Sequence, residues 1–323
     1  MKKIAVFTSG GDAPGMNAAI RAVVRTAKYN NIEVMGIYEG YQGMIENNIE
    51  LLKSTDVSNI IQRGGTILRS SRSEAFKTQE GRAKAFQNLK NNNIDGVIAI
   101  GGDGTFTGAT VFNKEYNIPF IGIPGTIDND LYGTDYTIGY DTALNTVIEA
   151  VDKIRDTASS HNRLFLVEVM GRDAGFIALR SGIGVGAEAI LIPETHTYID
   201  KLIDVLESNT KQHKKSMIVI VAEGDDAGGA YSVAKKVKDK CPHYDTRVTV
   251  LGHIQRGGSP SALDRVIASQ MGNAAVEALL RGETNKMVGV IHKQTVLTPF
   301  EKAIKHHQEI NKELLHLAEV LSC

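Results

Sequence analysis

The stretch IPGTIDND, residues 123–130, follows an apolar run and places two carboxylates, Asp128 and Asp130, two positions apart. Carboxylates that follow a buried strand can hold a cation or accept a proton from a reacting hydroxyl group. Aspartate and asparagine are also ordinary turn residues whose side chains bond their own backbone. Taken alone, the stretch is more typical of a turn than of a catalytic site, so the other motifs of the chain have to decide.

Glycine-rich polar turns follow six short apolar runs, which are IAVF (4–7), GVIAI (96–100), FIGI (120–123), LFLVEV (164–169), MIVIVA (217–222) and VTVLG (248–252). Segments with helical periodicity separate these runs. The alternation predicts an α/β fold of doubly wound, Rossmann-like three-layer domains with mainly parallel sheets. Ligands of such sheets bind beyond the carboxyl ends of the strands. The turns expected there are TSGGD (8–12), GGDGT (101–105), PGTIDND (124–130), MGRD (170–173), EGDD (223–226) and GHIQRGG (252–258).

Length and composition limit the class of protein. A chain of 323 residues exceeds a typical single domain, so we expect two domains. The 36 Lys and Arg residues nearly balance the 37 Asp and Glu residues, which argues against nucleic acid or an anionic membrane as a partner. Two distant cysteines, Cys241 and Cys323, and the absence of a signal-like or membrane-spanning run predict a cytoplasmic protein.

Two of the turns have the composition of a nucleotide-phosphate site. Gly10 and Gly11 lack the Cβ atoms that would block a phosphate from the backbone N–H groups ahead of a helix. Their pattern matches neither the dinucleotide fingerprint nor the Walker A loop. GGDGT adds Asp103, and a single carboxylate with waters and phosphate oxygens is how Mg²⁺ is usually held. GGDGT also resembles a motif of NAD kinases and lipid kinases, so it indicates phosphoryl transfer in general.

The motifs in combination are more specific. TSGGDAPGMNAAIR (8–21), GGDGT, PGTIDND, MGRDAG (170–175) and VLGHIQRGGSP (250–260), in this order, closely resemble the bacterial ATP-dependent 6-phosphofructokinases. The resemblance covers residues 1 to 290 or thereabouts, and the remaining C-terminal residues carry no motif. It implies MgATP-dependent phosphorylation of fructose 6-phosphate at O1 in glycolysis. It also implies an ATP-binding domain of residues 1–139 plus about 257–309, and a sugar-phosphate-binding domain of 140–256 plus about 310–323.

The resemblance assigns roles at the reacting groups. Asp128 matches the general base that takes the proton of the sugar hydroxyl, and Arg172 matches the group that stabilises charge on the transferred phosphoryl. The competing interpretation of Arg172 is a surface ion pair with Asp173. The implied catalytic residues are Gly11, Thr126, Asp128 and Arg172, the ATP-binding residues are Gly10, Gly11, Arg72, Ser73, Gly102, Asp103, Gly104 and Thr105, and the Mg²⁺ ligand is Asp103.

The resemblance also implies how the sugar phosphate is bound. Arg163 and Arg247 match residues that reach the site from a neighbouring subunit. The resemblance therefore implies a homotetramer with shared active sites. The implied substrate-binding residues are Thr126, Asp128, Asp130, Arg163, Met170, Gly171, Arg172, Glu223, Arg247, His253 and Arg256.

A regulatory site is implied as well. Arg21 and Arg25, which alone would suggest a solvated basic helix face, match part of a site for ADP or phosphoenolpyruvate. The implied effector residues are Arg21, Arg25, Arg155, Gly186, Glu188 and Lys214. The chain departs from well-regulated members at Ser54, Asn59, Gln212 and Ser216, where those have arginine, aspartate, lysine and histidine.

Two alternatives stay open at this point. The first is a pyrophosphate-dependent enzyme of the same superfamily. Such relatives commonly have aspartate in place of Gly104 and lysine in place of Gly125, so the two glycines favour ATP. The second is a catalytically silent regulator that binds nucleotide or sugar phosphate. The presence of the base, the metal carboxylate and the phosphoryl-binding arginine argues against it.

Overall fold

The computed structural model describes residues 1–158, 163–211, 217–305 and 309–321. They divide into two compact units. The described parts of Met1–Ile127, Leu131–Thr142 and Arg256–Gln308 form the first unit. Those of Asp128–Asp130, Ala143–Gln255 and Glu309–Cys323 form the second unit.

The strands follow most of the predicted apolar runs. The run at 248–252 is the exception, because its strand begins earlier and ends at Val250, and a 3₁₀ helix, Gly252–Arg256, follows. The described strands are β1 (Lys3–Thr8), β2 (Glu33–Ile37), β3 (Ile49–Leu51), β4 (Gly96–Gly101), β5 (Phe120–Pro124), β6 (Arg163–Val169), β7 (Ala189–Leu191), β8 (Met217–Ala222), β9 (Asp245–Val250), β10 (Lys286–Ile291) and β11 (Gln294–Pro299).

Helices separate most of these strands, as the alternating pattern predicts. Among the residues described, none of the helices is both long enough and apolar enough to cross a membrane. The described α-helices are α1 (Met16–Tyr29), α2 (Gly40–Glu46), α3 (Gln79–Asn91), α4 (Asp103–Tyr116), α5 (Tyr140–Ala158), α6 (Phe176–Gly184), α7 (Ile199–Lys211), α8 (Gly229–Lys240), α9 (Ala262–Leu280), α10 (Phe300–Lys305) and α11 (Lys312–Leu321).

The sheet of the first unit has the strand order β11-β10-β5-β4-β1-β2-β3. Its pairs are parallel except at the two edges, where β3 and β11 run antiparallel to their neighbours. The chain passes from β1 to β2 on one side and later to β4 on the other, so a topological switch point lies between β1 and β4. Ligands of doubly wound sheets bind at such points.

The second unit contains a four-stranded sheet of order β7-β8-β6-β9 in which every pair is parallel. Its core is mainly aliphatic and includes Leu164, Val219 and Val233, whereas the first core includes stacked rings such as Phe106 and Phe300. The predicted fold class is confirmed.

A buried carboxylate ties the start of α9 to the start of α5. Asp264 accepts hydrogen bonds from the backbone N–H groups of Gly139 and Thr142, both at 2.8 Å, and from the Thr142 hydroxyl at 2.5 Å. Burial raises the pKa of Asp264 to about 6, against an ordinary value of 3.8, although these donors oppose the rise. The folded protein therefore binds this proton more tightly than the unfolded chain does.

The raised pKa of Asp264 predicts a loss of stability with rising pH. The contribution of this group is fully present below pH 3.8 and is lost as the pH rises through the folded value of about 6. An asparagine side chain cannot ionise. Between these limits, the free energy of unfolding of the native protein should therefore fall by up to about 3 kcal/mol relative to that of the Asp264→Asn variant. Urea unfolding of both proteins across this pH range measures the difference. Parallel curves would contradict the prediction, and Asp152→Asn, at an exposed site on α5, serves as the control.

Candidate active site

Three polar turns lie side by side in the first unit, because β1, β4 and β5 are neighbours in the sheet. The Ser9 N–H donates to the Ile100 carbonyl, and the Gly125 N–H donates to the Gly101 carbonyl, both at 3.0 Å. TSGGD, GGDGT and the start of PGTIDND therefore meet beyond the carboxyl ends of these three strands. This is the end of the sheet at which the sequence predicts a nucleotide site.

The first turn has two glycines with different roles. Gly10 has a positive φ of 86°, a conformation that favours glycine, and its carbonyl accepts the Ser70 hydroxyl at 2.9 Å. At Gly11 a Cβ would lie 2.3 Å from Nη1 of Arg256. That guanidinium donates to the Asp12 carbonyl at 3.3 Å. Arg256, expected to bind the sugar phosphate, thus lies against the turn that is expected to bind ATP.

Asp103 begins α4 directly after Gly102. Its Oδ1 atom is buried and has no hydrogen-bond partner among the residues that the structure describes. The described part of the chain has no cluster of three or more His, Cys, Asp or Glu side chains suited to a metal. A single carboxylate with a spare oxygen fits Mg²⁺ that arrives with a nucleotide, since such an ion keeps waters and phosphate oxygens as its other ligands.

Space is available beside Asp103. A Cβ at Gly104 would have no atom within 4 Å, so packing alone does not require glycine there. At Gly125, in contrast, a Cβ would lie 3.0 Å from Ile100 and 3.1 Å from Met16. The two glycines that the sequence analysis pairs therefore differ, because only Gly104 leaves open room for a ligand.

Several predicted site residues, both nucleotide-binding and catalytic, also stabilise the first unit. The Ser73 hydroxyl donates to Gln42 at 2.7 Å. The Tyr41 hydroxyl donates to the backbone carbonyl of the buried Thr105 at 2.6 Å. Thr126 is buried, and its carbonyl accepts the Thr137 hydroxyl at 2.6 Å. Arg72 is exposed.

The acidic segment Asp128–Asp130 lies in the second unit. Asp128 and Asp130 are half-buried, and Asn129 between them has a φ of 54°. This left-handed conformation is one that asparagine tolerates better than most residues. The two half-buried carboxylates thus flank a residue with a left-handed backbone.

The MGRD turn is held by two side chains from the segments that follow the neighbouring strands. The Gly171 and Arg172 N–H groups donate to Oε1 of Glu223, at 3.2 and 2.7 Å. The Met170 N–H donates to Oε1 of Gln255 at 2.9 Å. Sequence reasoning missed Gln255, and the signal that could have found it is its place in GHIQRGG, after a strand that pairs with β6.

Arg172 itself adopts a left-handed backbone conformation, with a φ of 56°. Gly224 permits this turn, because a Cβ there would lie 2.2 Å from the Arg172 carbonyl oxygen. The Arg172 side chain forms an ion pair with Asp173 at 3.6 Å, and both groups are largely exposed. The surface ion pair with Asp173, which was the competing interpretation of Arg172, is therefore present. An exposed pair of this kind is weak enough to be exchanged for a phosphate.

Of the predicted phosphate-binding arginines, Arg163 lies at the amino-terminal end of β6, and Arg247 lies within β9, opposite Phe165 of β6. Arg163 begins β6, whereas Met170 follows its last residue, a separation of about 20 Å along the strand. Asp245 accepts from Nε of Arg163 at 2.8 Å and from Nη2 of Arg247 at 3.2 Å. The Arg163 hydrogen bond holds the pKa of Asp245 below its usual value. Both arginines are thus held by Asp245, whereas Glu223 and the exposed His253 follow the carboxyl ends of β8 and β9.

The predicted effector residues are only partly brought together. In the second unit, Arg155 donates to the carbonyls of Val185 and, at 3.2 Å, Gly186. The buried Glu188 accepts the Ile218 N–H at 2.6 Å, so its carboxylate also supports β8. Lys214, with Gln212 and Ser216, lies outside the described residues. In the first unit, burial and then the charge of Arg25 lower the pKa of Arg21, and both arginines are on α1.

Comparison with known proteins gives a consistent result. A family model described as phosphofructokinase matches residues 3–279. ATP-dependent 6-phosphofructokinase 2 of Bacteroides thetaiotaomicron is 55% identical over 322 residues, 100% of this chain and 99% of that protein. The structure of phosphofructokinase from Saccharomyces cerevisiae matches with a TM-score of 0.88 and 37% identity, covering 99% of this chain and 47% of that chain.

A pyrophosphate-dependent phosphofructokinase from Marinobacter aquaeolei matches with a TM-score of 0.82 at 22% identity, covering 97% of this chain and 86% of that chain, and so shows the fold alone. Parallel sheets with polar turns beyond the carboxyl ends of their strands are typical of α/β proteins that bind ligands at that end. The chain belongs to the phosphofructokinase family and is therefore a phosphotransferase. The resemblance stated from the sequence motifs is confirmed.

Proposed function

We propose that this protein transfers the γ-phosphoryl group of ATP to O1 of fructose 6-phosphate, giving fructose 1,6-bisphosphate and ADP, as a step of glycolysis. The observation that carries the proposal is 55% identity over the full length with a curated ATP-dependent 6-phosphofructokinase. The site adds chemical support, because nucleotide-type turns, a carboxylate turn and an exposed arginine are all present in the chain.

The proposed reaction is an in-line displacement at phosphorus. Asp128 takes the proton of the O1 hydroxyl while that oxygen attacks the γ-phosphorus, and the bond to the bridging oxygen of ADP breaks. Arg172 stabilises the charge on the transferring phosphoryl group with its fork of donors. Gly11 and Thr126 are proposed to line the path of the phosphoryl group, and Asp130 to orient the sugar.

The nucleotide is proposed to bind at the turns after β1 and β4. Gly10, Gly102, Gly104 and Thr105 would surround its phosphates, with Arg72 and Ser73 beside them. Asp103 would hold Mg²⁺, and its buried Oδ1, which has no partner among the described residues, supports this role. When bound, Mg²⁺ neutralises charge that develops on the β- and γ-phosphates.

The sugar phosphate is proposed to bind at Met170, Gly171, Glu223, His253 and Arg256. Arg163 and Arg247 would complete the site from a second copy of the chain, as a homotetramer of shared sites requires. The position of Arg163 at the amino-terminal end of β6, away from the turn at Met170, supports this arrangement. We further propose the ATP-binding and sugar-binding domains stated above, and a cytoplasmic location.

A coupled assay of fructose 1,6-bisphosphate formation tests the function and separates the alternatives. ATP with Mg²⁺ should support turnover, and pyrophosphate should support far less. Comparable kcat/KM with both donors would favour the pyrophosphate-dependent alternative. No turnover with either donor, from protein that binds both substrates, would favour the silent regulator.

Replacement of the proposed base tests its role. Asp128→Asn should lower kcat by about 10²–10⁴-fold while leaving both KM values broadly unchanged, because an amide keeps the size of the side chain but cannot accept the proton. Steady-state kinetics measure the change, with Asp152→Asn as a control of native activity. Near-native kcat in Asp128→Asn would rule out this assignment.

The open space at Gly104 allows a matched test of donor choice. Gly104→Ala should fold and retain ATP turnover, since its Cβ meets no atom within 4 Å. Gly104→Asp should lose about tenfold or more in kcat/KM for ATP, because its carboxylate would face the nucleotide phosphates. Equal ATP kinetics for the two variants would show that position 104 does not face the nucleotide.

The effector site is proposed to bind ADP or phosphoenolpyruvate weakly. Each lost charge–phosphate bond at the departures could remove about 1.5–3 kcal/mol, and coupling cannot exceed the differential affinity of the effector. We expect a modest response and a weakly sigmoidal fructose 6-phosphate curve. The measurement is that curve with and without each effector at low millimolar concentration. A hundredfold shift in half-saturation would mean that Lys53, Lys211 or Lys215 compensates.

A further inference from the structure

The MGRD turn has three consecutive backbone N–H groups, at Met170, Gly171 and Arg172, that all donate to side chains. The arrangement follows from strand order, since β6 lies between β8 and β9 in the sheet. Glu223 follows β8 on one side, and Gln255 follows β9 on the other. The turn after β6 is thus held from both sides by the turns after its two neighbours.

Gln255 supplies the side-chain acceptor that the Met170 N–H uses. Its side chain is fully buried, and only its oxygen can face the Met170 N–H, because the amide nitrogen would oppose donor to donor. Its Nε2 atom has no hydrogen-bond partner within the described ranges of the chain. A buried donor without an acceptor destabilises the fold, so methionine, of similar length, would suit this position better if packing alone mattered.

The backbone of Arg172 explains why such support is needed. A left-handed conformation is unfavourable for an L-residue with a long side chain, and it persists only where the surroundings determine it. The exposed ion pair with Asp173 holds the guanidinium only weakly. The direction of the Arg172 side chain is therefore set mainly by the backbone of residues 170–172.

We propose that Gln255 is a positioning residue for phosphoryl transfer, which holds the MGRD turn through the Met170 N–H and thereby aims Arg172. The proposal rests on the proposed function for the role of Arg172. Glu223 shares the support of the turn, but it is also proposed to contact the sugar, whereas the Gln255 amide is buried and its oxygen contacts the turn at the Met170 N–H. Removing the Gln255 acceptor should therefore affect the rate more than substrate binding.

The test is a double-mutant cycle with Gln255→Met and Arg172→Ala. Gln255→Met should lower kcat about tenfold while both KM values change less than about twofold, because the misplaced arginine acts in the transition state. In the Arg172→Ala background, the same change should cause no further loss of kcat, since two residues that act as one unit are not additive. Asn209→Leu, which also replaces a buried amide of the second unit, is the matched control and should retain native kcat.

The crystal structure of Gln255→Met supplies a readout that does not depend on activity. We expect φ of Arg172 to leave the left-handed region, with the sheet of the second unit unchanged. Native kcat in Gln255→Met, an equal further loss in the Arg172→Ala background, or an unchanged Arg172 backbone would each overturn the proposal. If native protein forms no fructose 1,6-bisphosphate, the proposed function fails, whereas the crystal structure still decides whether Gln255 holds the turn.

Discussion

The structure depends on one constraint, which is that the polar turns of the proposed site all follow the carboxyl ends of neighbouring parallel strands. In the first unit these strands are β1, β4 and β5, and in the second they are β6, β8 and β9. Parallel strands leave backbone N–H groups and the starts of helices at this edge, which favours anions. A phosphotransferase needs such groups in large number, because catalysis of phosphoryl transfer is mainly positioning and charge stabilisation.

The turns also stabilise one another, so that binding groups and structural groups are not separate sets. Glu223 and Gln255 hold the backbone of MGRD, and Arg256 lies against Gly11. The Arg256 guanidinium lies where a Cβ at residue 11 would be too close. A change at Glu223, Gln255 or Gly11 is therefore expected to move a neighbouring turn, whereas Gly104 lies in open space.

Much of the fold could be predicted from the sequence, because an apolar run followed by a glycine-rich turn is a local signal. The run GVIAI predicts β4 on this basis, and the turn after it predicts the place of Asp103. The motifs also identified the family, since several of them occur in a fixed order over most of the chain. The start of β9 was harder to predict from the sequence, because the polar residues of DTRVTV do not mark it as a strand. Long-range contacts of the site could not be predicted in the same way. That Gln255 bonds Met170 depends on β9 pairing with β6, which no local pattern reveals.

The most direct test of the central claim is ³¹P nuclear magnetic resonance of the purified protein with MgATP and fructose 6-phosphate. The account predicts that the γ-phosphate signal of ATP disappears while ADP and a second phosphomonoester on the sugar, at C1, appear in equal amounts. Release of the γ-phosphate only as inorganic phosphate, or no change in the spectrum, would contradict it.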